Sequence, residues 1–276
     1  MNQGLVTVYI PTRGDSPLLR RAVESVMAQT YQNIEIIIVV DSDIYNIDKY
    51  LAGIGKSSYR CFFHGRIKGA NAARNLAVES SAGQYITGLD DDDYFLPDRV
   101  ENLLENYSPE LAFVCSDEIL EFDNKERKFT KYRKEKIQLE DMLLENCATN
   151  QVFTETYKFK EVGLFDPNLP ACQDYDMWMK LILKYKVAIR TANPSMVVDK
   201  SLMRPRISNQ SKKLDGFKVF FERYKPYMNR RQIKRQRMRL VLAEKERINI
   251  RDFVKYTTLQ TFFGDFKRLF GRKSWI

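Results

Sequence analysis

The chain has 276 residues, 44% of them hydrophobic and 29% charged, with a formal net charge of +9. That length can bury one large core with an appendage, and no stretch reaches the roughly 18 uninterrupted apolar residues that a membrane-spanning helix requires. The charge is uneven: residues 212–276 hold 19 Lys or Arg against 6 Asp or Glu, and residues 1–211 hold 26 against 30, so an acidic body carries a basic end.

Leu5–Ile10 reads as a short buried strand, ended by Pro11-Thr12-Arg13-Gly14. Ser16-Pro17 supplies an N-cap and a first-turn proline for a helix to about Gln29, along which Leu18, Leu19, Ala22, Val23, Val26 and Met27 recur at spacings of three and four. Ile34–Val40 is apolar almost throughout, as a parallel strand covered on both faces must be. A third strand over Tyr59–Phe63, a helix over about Ala70–Glu79 and a fourth strand over Gln84–Leu89 complete a βαβα progression. This predicts an α/β fold, a doubly wound, Rossmann-like and mostly parallel sheet flanked by helices. After Asp93 the pattern changes to a helix over about Pro97–Asn106, an apolar run Leu111–Cys115 and a polar alternation through Phe122, with Asp123-Asn124 as a turn. That reads as a smaller antiparallel region. Asp174–Tyr185 is a helix with Met177, Trp178, Leu181 and Ile182 on its inward face.

Ligands of such sheets bind beyond the carboxyl ends of the strands, where three polar clusters fall: Thr12-Arg13, Asp41-Ser42-Asp43 and Asp90 to Asp93. Four adjacent carboxylates after an apolar strand create a field that a hard divalent cation would neutralise. Mn²⁺ and Mg²⁺ take oxygen ligands and keep only one or two carboxylates beside water and a diphosphate. In an extended turn residues two apart point the same way, so Asp90 and Asp92 are expected to share one task while Asp91 faces elsewhere. The competing account makes these residues solvated loop or a cap for the next helix, the only role left for Asp93. Asp174 and Asp176 equally suit a helix start by charge alone, Arg74 a solvated face or a pair for Glu79, and Trp178 the core. His64, the only histidine, sits at a strand end and makes no metal cluster. The four cysteines, Cys61, Cys115, Cys147 and Cys172, lie far apart among apolar neighbours, as reduced thiols of a cytosolic protein do, and the start lacks a signal-peptide pattern.

Val6-Thr7-Val8-Tyr9-Ile10-Pro11-Thr12-Arg13, Ala22-Val23-Glu24-Ser25-Val26 with Gln29-Thr30-Tyr31, Ala73-Arg74-Asn75, Asp90 to Asp93 and Gln173-Asp174-Tyr175-Asp176-Met177-Trp178 occur in this order. Together they resemble the family-two glycosyltransferases, nucleotide-sugar enzymes of the GT-A fold, over roughly residues 5–210. The resemblance implies a GT-A catalytic domain over 1–211, with a nucleotide-binding half (1–93) and an acceptor half (94–211), followed by a basic helical tail (212–276). It implies an inverting, metal-dependent transfer of one hexose or N-acetylhexosamine from a nucleoside diphosphate sugar, with UDP expected, to an acceptor hydroxyl. That acceptor would be a lipid-linked O-antigen or capsule glycan.

Carried over by position, Asp92 would contact the metal with Asp90 as its partner, and Asp91 would lie near the ribose or donor sugar. Pro11, Thr12, Arg13, Asp41, Ser42 and Asp43 would line the nucleoside pocket, Arg74 would reach the pyrophosphate or the donor sugar, and Asp174 would be the catalytic base. Three departures stand out, one of them that the usual Glu-Asp before the acceptor helix is Gln173-Asp174 here, which keeps the proposed base and loses its neighbour. The family often has Asp-Asp-Gly-Ser after the second strand, whereas Ser42 takes the second aspartate's place here. In Arg204-Pro205-Arg206-Ile207-Ser208-Asn209-Gln210-Ser211, similar to a mobile loop over the diphosphate, the frequent histidine is missing, leaving Arg204 or Arg206 to meet the phosphates. Chain synthases of the family combine membrane spans with Gln-x-x-Arg-Trp, and neither occurs here, which favours single addition. A metal-dependent nucleotidyltransferase would need a glycine-rich phosphate loop that Pro11-Thr12-Arg13-Gly14 matches poorly. A non-catalytic nucleotide-sugar-binding module would not need both the aspartate run and Asp174.

In the basic tail, Phe262, Phe263, Phe266, Leu269 and Phe270 recur at helical spacings beside Lys267, Arg268, Arg272 and Lys273. This is the pattern of an interfacial amphipathic helix, and each cation near an anionic surface contributes about 1 kcal/mol. The expectation is a cytoplasmic enzyme held peripherally at the inner face of the plasma membrane. Packing of the tail's apolar residues, those above and Phe217, Val219, Phe220, Phe221, Tyr224 and Tyr227, on the body or between subunits of a homo-oligomer, with the charges as a solvated face, is the alternative. The tail carries no nucleic-acid motif, so no nucleic-acid partner is expected.

Overall fold

The computed structural model describes residues 4–130, 134–201, 210–245, 248–258 and 262–269. Strands β1 (Val6–Thr12), β2 (Ile34–Val40), β3 (Arg60–Phe63) and β4 (Tyr85–Gly88) lie parallel in the order β3-β2-β1-β4. Side chains of successive strand residues face opposite ways, and both faces are filled. Val8 and Ile10 of β1 join Ile36 and Ile38 of β2 under helix α1 (Leu19–Met27), while Tyr9, Ile37 and Val39 lie under helix α2 (Ala70–Ser80). Each such aliphatic side chain contributes about 1.5–3 kcal/mol when buried.

Past β4 the chain adds β5 (Tyr94–Phe95), α3 (Arg99–Glu105), β6 (Val114–Glu121), β7 (Arg127–Phe129), β8 (Lys136–Gln138), α4 (Leu139–Leu144), β9 (Phe153–Glu155), α5 (Thr156–Glu161), α6 (Gln173–Tyr185) and β10 (Val187–Asp199). The antiparallel strands form no layer of their own. β9 pairs antiparallel with both β4 and β6, β10 runs parallel to β6, and the described residues form one 10-stranded sheet with the path β3-β2-β1-β4-β9-β6-β10-β5 and, off it, β7 on β6 and β8 on β10. The expected turn at Asp123-Asn124 joins β6 to β7. The α/β class and the flanking helices are as expected.

Two local expectations fail. Helix α1 begins at Leu19 with no side-chain cap, and the Ser16 hydroxyl instead accepts from the Leu18 N–H and donates to the Asp91 carbonyl at 3.2 Å, tying the first-strand loop to the aspartate run. Asp93 does not cap α3: residue 98 stands there without a side-chain bond, and Asp93 is buried.

Helices α7 (Gln210–Tyr224), α8 (Arg230–Glu244), α9 (Ile250–Tyr256) and α10 (Phe262–Leu269) follow. Phe220, Phe221 and Tyr224 of α7 belong to the same core cluster as Tyr175, Met177 and Trp178 of α6, with the Phe220 ring stacked on Tyr175 at 4.0 Å. Gly216 permits this approach, since a Cβ there would lie 2.6 Å from the Ala171 Cβ. These α7 aromatics thus take the body-packing alternative, whereas Phe262, Phe263 and Phe266 of α10 stay exposed. Among the described residues no helix is long and apolar enough to cross a membrane, and all four cysteines are free.

Candidate active site

The parallel strands stop at one edge, and their ends deliver polar groups to a shared crevice. Thr12, at the end of β1, donates its hydroxyl to Asp91 Oδ2 at 2.5 Å. Asp41, just past β2, has its carboxylate occupied on both oxygens: Oδ1 meets His64 Nδ1 and the Lys68 N–H, and Oδ2 accepts from the Gly69 N–H, each at 2.8 Å. It thereby fixes the turn that leads into α2. Pro11 is half-buried within β1 opposite Val39, and Arg13 and Asp43 are exposed. Ser42 Oγ accepts from the Ile44 N–H at 3.2 Å. Arg204 and Arg206 lie outside the described residues.

The aspartates form a tight turn, closed by the Asp93 N–H on the Asp90 carbonyl at 3.1 Å. An extended arrangement would have paired Asp90 with Asp92. The turn instead brings Asp90 and Asp93 to one donor, the Asn150 side-chain amide, at 3.0 and 3.2 Å. Asp92 is half-buried, with its carbonyl receiving Arg21 Nη2, which also pairs with Asp199 at 3.0 Å. Asp93 accepts from the Asp199 N–H at 2.9 Å. Burial, then the charges of Asp90 and Asp92, push its carboxyl well above the usual range. Gly88, at the end of β4, leaves the room that Gln151 and Tyr9 fill, because a Cβ there would sit 2.2 Å from Gln151 Oε1.

Arg74 of α2 is buried beneath the crevice. Its Nη2 reaches Asp90 Oδ1 at 3.1 Å and its Nη1 lies 3.6 Å from Asp174 Oδ1, so it neither faces solvent nor pairs with Glu79. Burial lowers its tendency to stay charged, but Asp174 and Asp90 outweigh that and raise its pKa. Asp174 enters from the first turn of α6, behind Cys172 in the left-handed region at φ 62°. Its Oδ1 is buried without a hydrogen bond, although 24% of the side chain remains open to the crevice. At a helix start the dipole by itself favours an ionised carboxylate. The outcome is the reverse: burial, only partly opposed by Arg74 and reinforced by Asp90 and Glu118, lifts the pKa to about 6. Trp178 is wholly buried and therefore no sugar platform.

Residues 7–168 match the sequence profile of "Glycosyl transferase family 2". The chain belongs to this family. The enzyme is similar along nearly its whole length to a protein named for colanic acid biosynthesis, the glycosyl transferase WcaA of Escherichia coli (strain K12), 28% identical over 260 residues that cover 91% of this chain and 92% of that one. A second relative is the UDP-Glc:alpha-D-GlcNAc-diphosphoundecaprenol beta-1,3-glucosyltransferase WfaP of Escherichia coli, 35% identical over 109 residues. That match covers 40% of this chain and 43% of WfaP. A solved structure of S. aureus TarS residues 1–349 in complex with UDP-GlcNAc superposes with a TM-score of 0.67 at 12% identity, over 95% of this chain and 79% of that one. The glycosyltransferase thus has the GT-A fold, and sugar transfer is its chemistry.

Sequence reasoning missed four groups of this glycosyltransferase site: Asn150, Glu118, Arg21 and Asp199. Glu118, buried on β6 with its carboxyl raised chiefly by desolvation, accepts from the Asn150 N–H at 2.8 Å. None sits in a motif: Arg21 comes from α1, Glu118 from β6, Asn150 from the loop before β9 and Asp199 from the end of β10, and their hydrogen bonds at the turn span 32 to 106 residues of chain.

Proposed function

We propose that the enzyme transfers a single hexose or N-acetylhexosamine, with inversion, from a nucleoside diphosphate sugar to an acceptor hydroxyl on a lipid-linked O-antigen or capsule glycan. The observation that carries this is the link from Asp174 through Arg74 to Asp90, which joins a carboxylate with a pKa near 6 to the strand-end aspartates. A base of that strength is mostly ionised at neutral pH yet basic enough to take a proton from a hydroxyl as it attacks. It lies across the guanidinium from Asp90, and the proposal puts attack on the Asp174 side of the sugar and departure on the side of the turn. UDP is the favoured nucleotide, in line with the nucleotide bound to TarS, and WfaP, by name a transferase to a diphosphoundecaprenol-linked sugar, favours a lipid-linked acceptor.

The donor set suits Mn²⁺ or Mg²⁺. Among the described residues no three His, Cys, Asp or Glu side chains converge as a cage, and the turn offers hard carboxylate oxygens whose crowding a cation would relieve; Asp92 is proposed as the principal contact and Asp90, which the turn holds against Asp93, as its partner. Such an ion would supply charge neutralisation on the departing diphosphate. Thr12 would steer Asp91 toward the ribose or donor sugar, Pro11, Arg13, Asp41, Ser42 and Asp43 would border the nucleoside, and Arg204 or Arg206 would meet the phosphates. The donor and acceptor groups are proposed to lie within 1–211, with α7 packed against α6 as part of the same body, and the enzyme is proposed to sit peripherally at the cytoplasmic membrane face through the end of its tail.

The test is to screen UDP-, GDP- and dTDP-sugars for Mn²⁺-dependent binding, then for turnover with lipid-diphosphate sugars. Asp174→Asn should keep donor binding and lose turnover by about three orders of magnitude or more. Near-normal turnover in that variant would reject Asp174 as the base.

A further inference from the structure

We propose that Asn150 is a positioning residue for the aspartate turn, holding Asp90 and Asp93 in the arrangement that receives the donor diphosphate and its cation. This rests on the donor-site reading above. Its side-chain nitrogen carries two hydrogens and spends one on each carboxylate, at 3.0 Å to Asp90 Oδ2 and 3.2 Å to Asp93 Oδ2. The chemical type matters. A lysine or arginine here would bind the same oxygens and cancel the field, whereas a neutral amide orders the two carboxyl groups and leaves the negative potential of the turn for a cation. Arg74 takes only the other oxygen of Asp90.

Asn150 is itself held. Its backbone N–H donates to Glu118 Oε1 at 2.8 Å, and the preceding Thr149 is kept at a φ of 60° by hydroxyl bonds to the Ala148 carbonyl at 2.6 Å and the Ser116 carbonyl at 3.4 Å. The left-handed region is costly for a β-branched residue and persists only where the surroundings enforce it. On the other side, Gln151 accepts from the Tyr9 hydroxyl at 3.2 Å and fills the space that Gly88 leaves open. The amide is therefore aimed from a rigid segment, not from a loop that happens to touch the turn.

The experiment measures Mn²⁺ binding by electron paramagnetic resonance in the presence of UDP, GDP or dTDP, for wild type, Asn150→Ala and the similarly shaped, apolar Asn150→Leu. Thermal melting shows which variants fold, and Asn150→Ser, small and with its backbone bond intact, replaces any that do not. Removing the amide should weaken Mn²⁺ binding about ten-fold, the size of effect seen when groups that orient metal ligands are lost. In turnover the half-saturating Mn²⁺ concentration should rise with little change in kcat at saturating metal. A merely structural loss would lower kcat equally at every Mn²⁺ concentration. Binding within two-fold of wild type in folded variants overturns the role of Asn150. Failure of the wild type to take up Mn²⁺ with any of the three nucleotides overturns the donor-site reading itself.

Discussion

The strongest quantitative consequence concerns Asp174 and stability. Replacing Asp174 by Asn removes a carboxylate whose ionisation the fold resists, with burial as the main cause. Its pKa rises from 3.8 to about 6 on folding, so its contribution to stability is fully present below about pH 4 and is lost as pH climbs through 6. At about 1.4 kcal/mol per tenfold change in the protonation equilibrium, the ionised group costs the native state up to about 3 kcal/mol above pH 7. Because 24% of the side chain remains open, solvent trims this, and about 1–3 kcal/mol is expected. The neutral amide of the variant carries no such cost. Thermal unfolding followed from pH 4 to pH 8 should therefore show a stability difference that opens in favour of the variant between pH 4 and 7 and then stays level. At roughly 2 °C per kcal/mol for a chain of this size, the Tm difference that opens should amount to about 2–6 °C. A Tm difference independent of pH, or one that turns against the variant as pH rises, refutes the burial argument.

For the wild type the same titration has a kinetic face: kcat/KM should rise through a limb centred near pH 6, and a flat profile from pH 5 to 8 would show that the titration of Asp174 does not govern the rate. Asp92→Asn should weaken Mn²⁺-dependent donor binding by about ten-fold or more in calorimetry, and unchanged affinity would withdraw the metal assignment. Arg223→Ala strips Asp176, only 1% exposed, of a partner at 2.6 Å. Lys180 and the Tyr224 hydroxyl remain, so a loss of about 2 kcal/mol in denaturant unfolding is expected, and a change under 0.5 kcal/mol would mean the pair is idle. A chain ending at residue 258 should keep the full-length Tm and fail to float with anionic vesicles that carry the full chain upward, since Phe262, Phe263 and Phe266 are 42%, 80% and 45% exposed. Equal failure of both chains to float would end the membrane assignment.

The parallel half was legible because its signals are local. Ile34–Val40 announces burial on both faces by composition alone, and Thr12, Asp41 and Asp90 sit where each strand must stop. β10 was not legible: Pro194 lies inside it and its register slips between Thr191 and Met196, which breaks the two-residue rhythm. β9 is only three residues long, too short to show a period, yet its pairing with β4 is what sets Asn150 over the aspartates. The pKa of Asp174 escaped for a different reason. Its position at a helix start was visible, but burial comes from distant chain and outweighs the dipole. The aromatic stripe of α7 could be seen as a stripe, although hydrophobic periodicity is blind to whether lipid or Tyr175 will cover it.

The docking of α7 has a temporal meaning. Arg223 grips Asp176, two positions from Asp174, and Tyr224 donates to the same carboxylate, so the start of α6 is completed by chain that leaves the ribosome almost 50 residues later. A nascent polypeptide halted after β10 would already display the aspartate turn while Asp176 waited without its guanidinium. The aspartate turn is thus encoded before the contacts that lock the start of α6, so on the proposed roles a product truncated ahead of α7 is expected to bind nucleotide sugar better than it can transfer it.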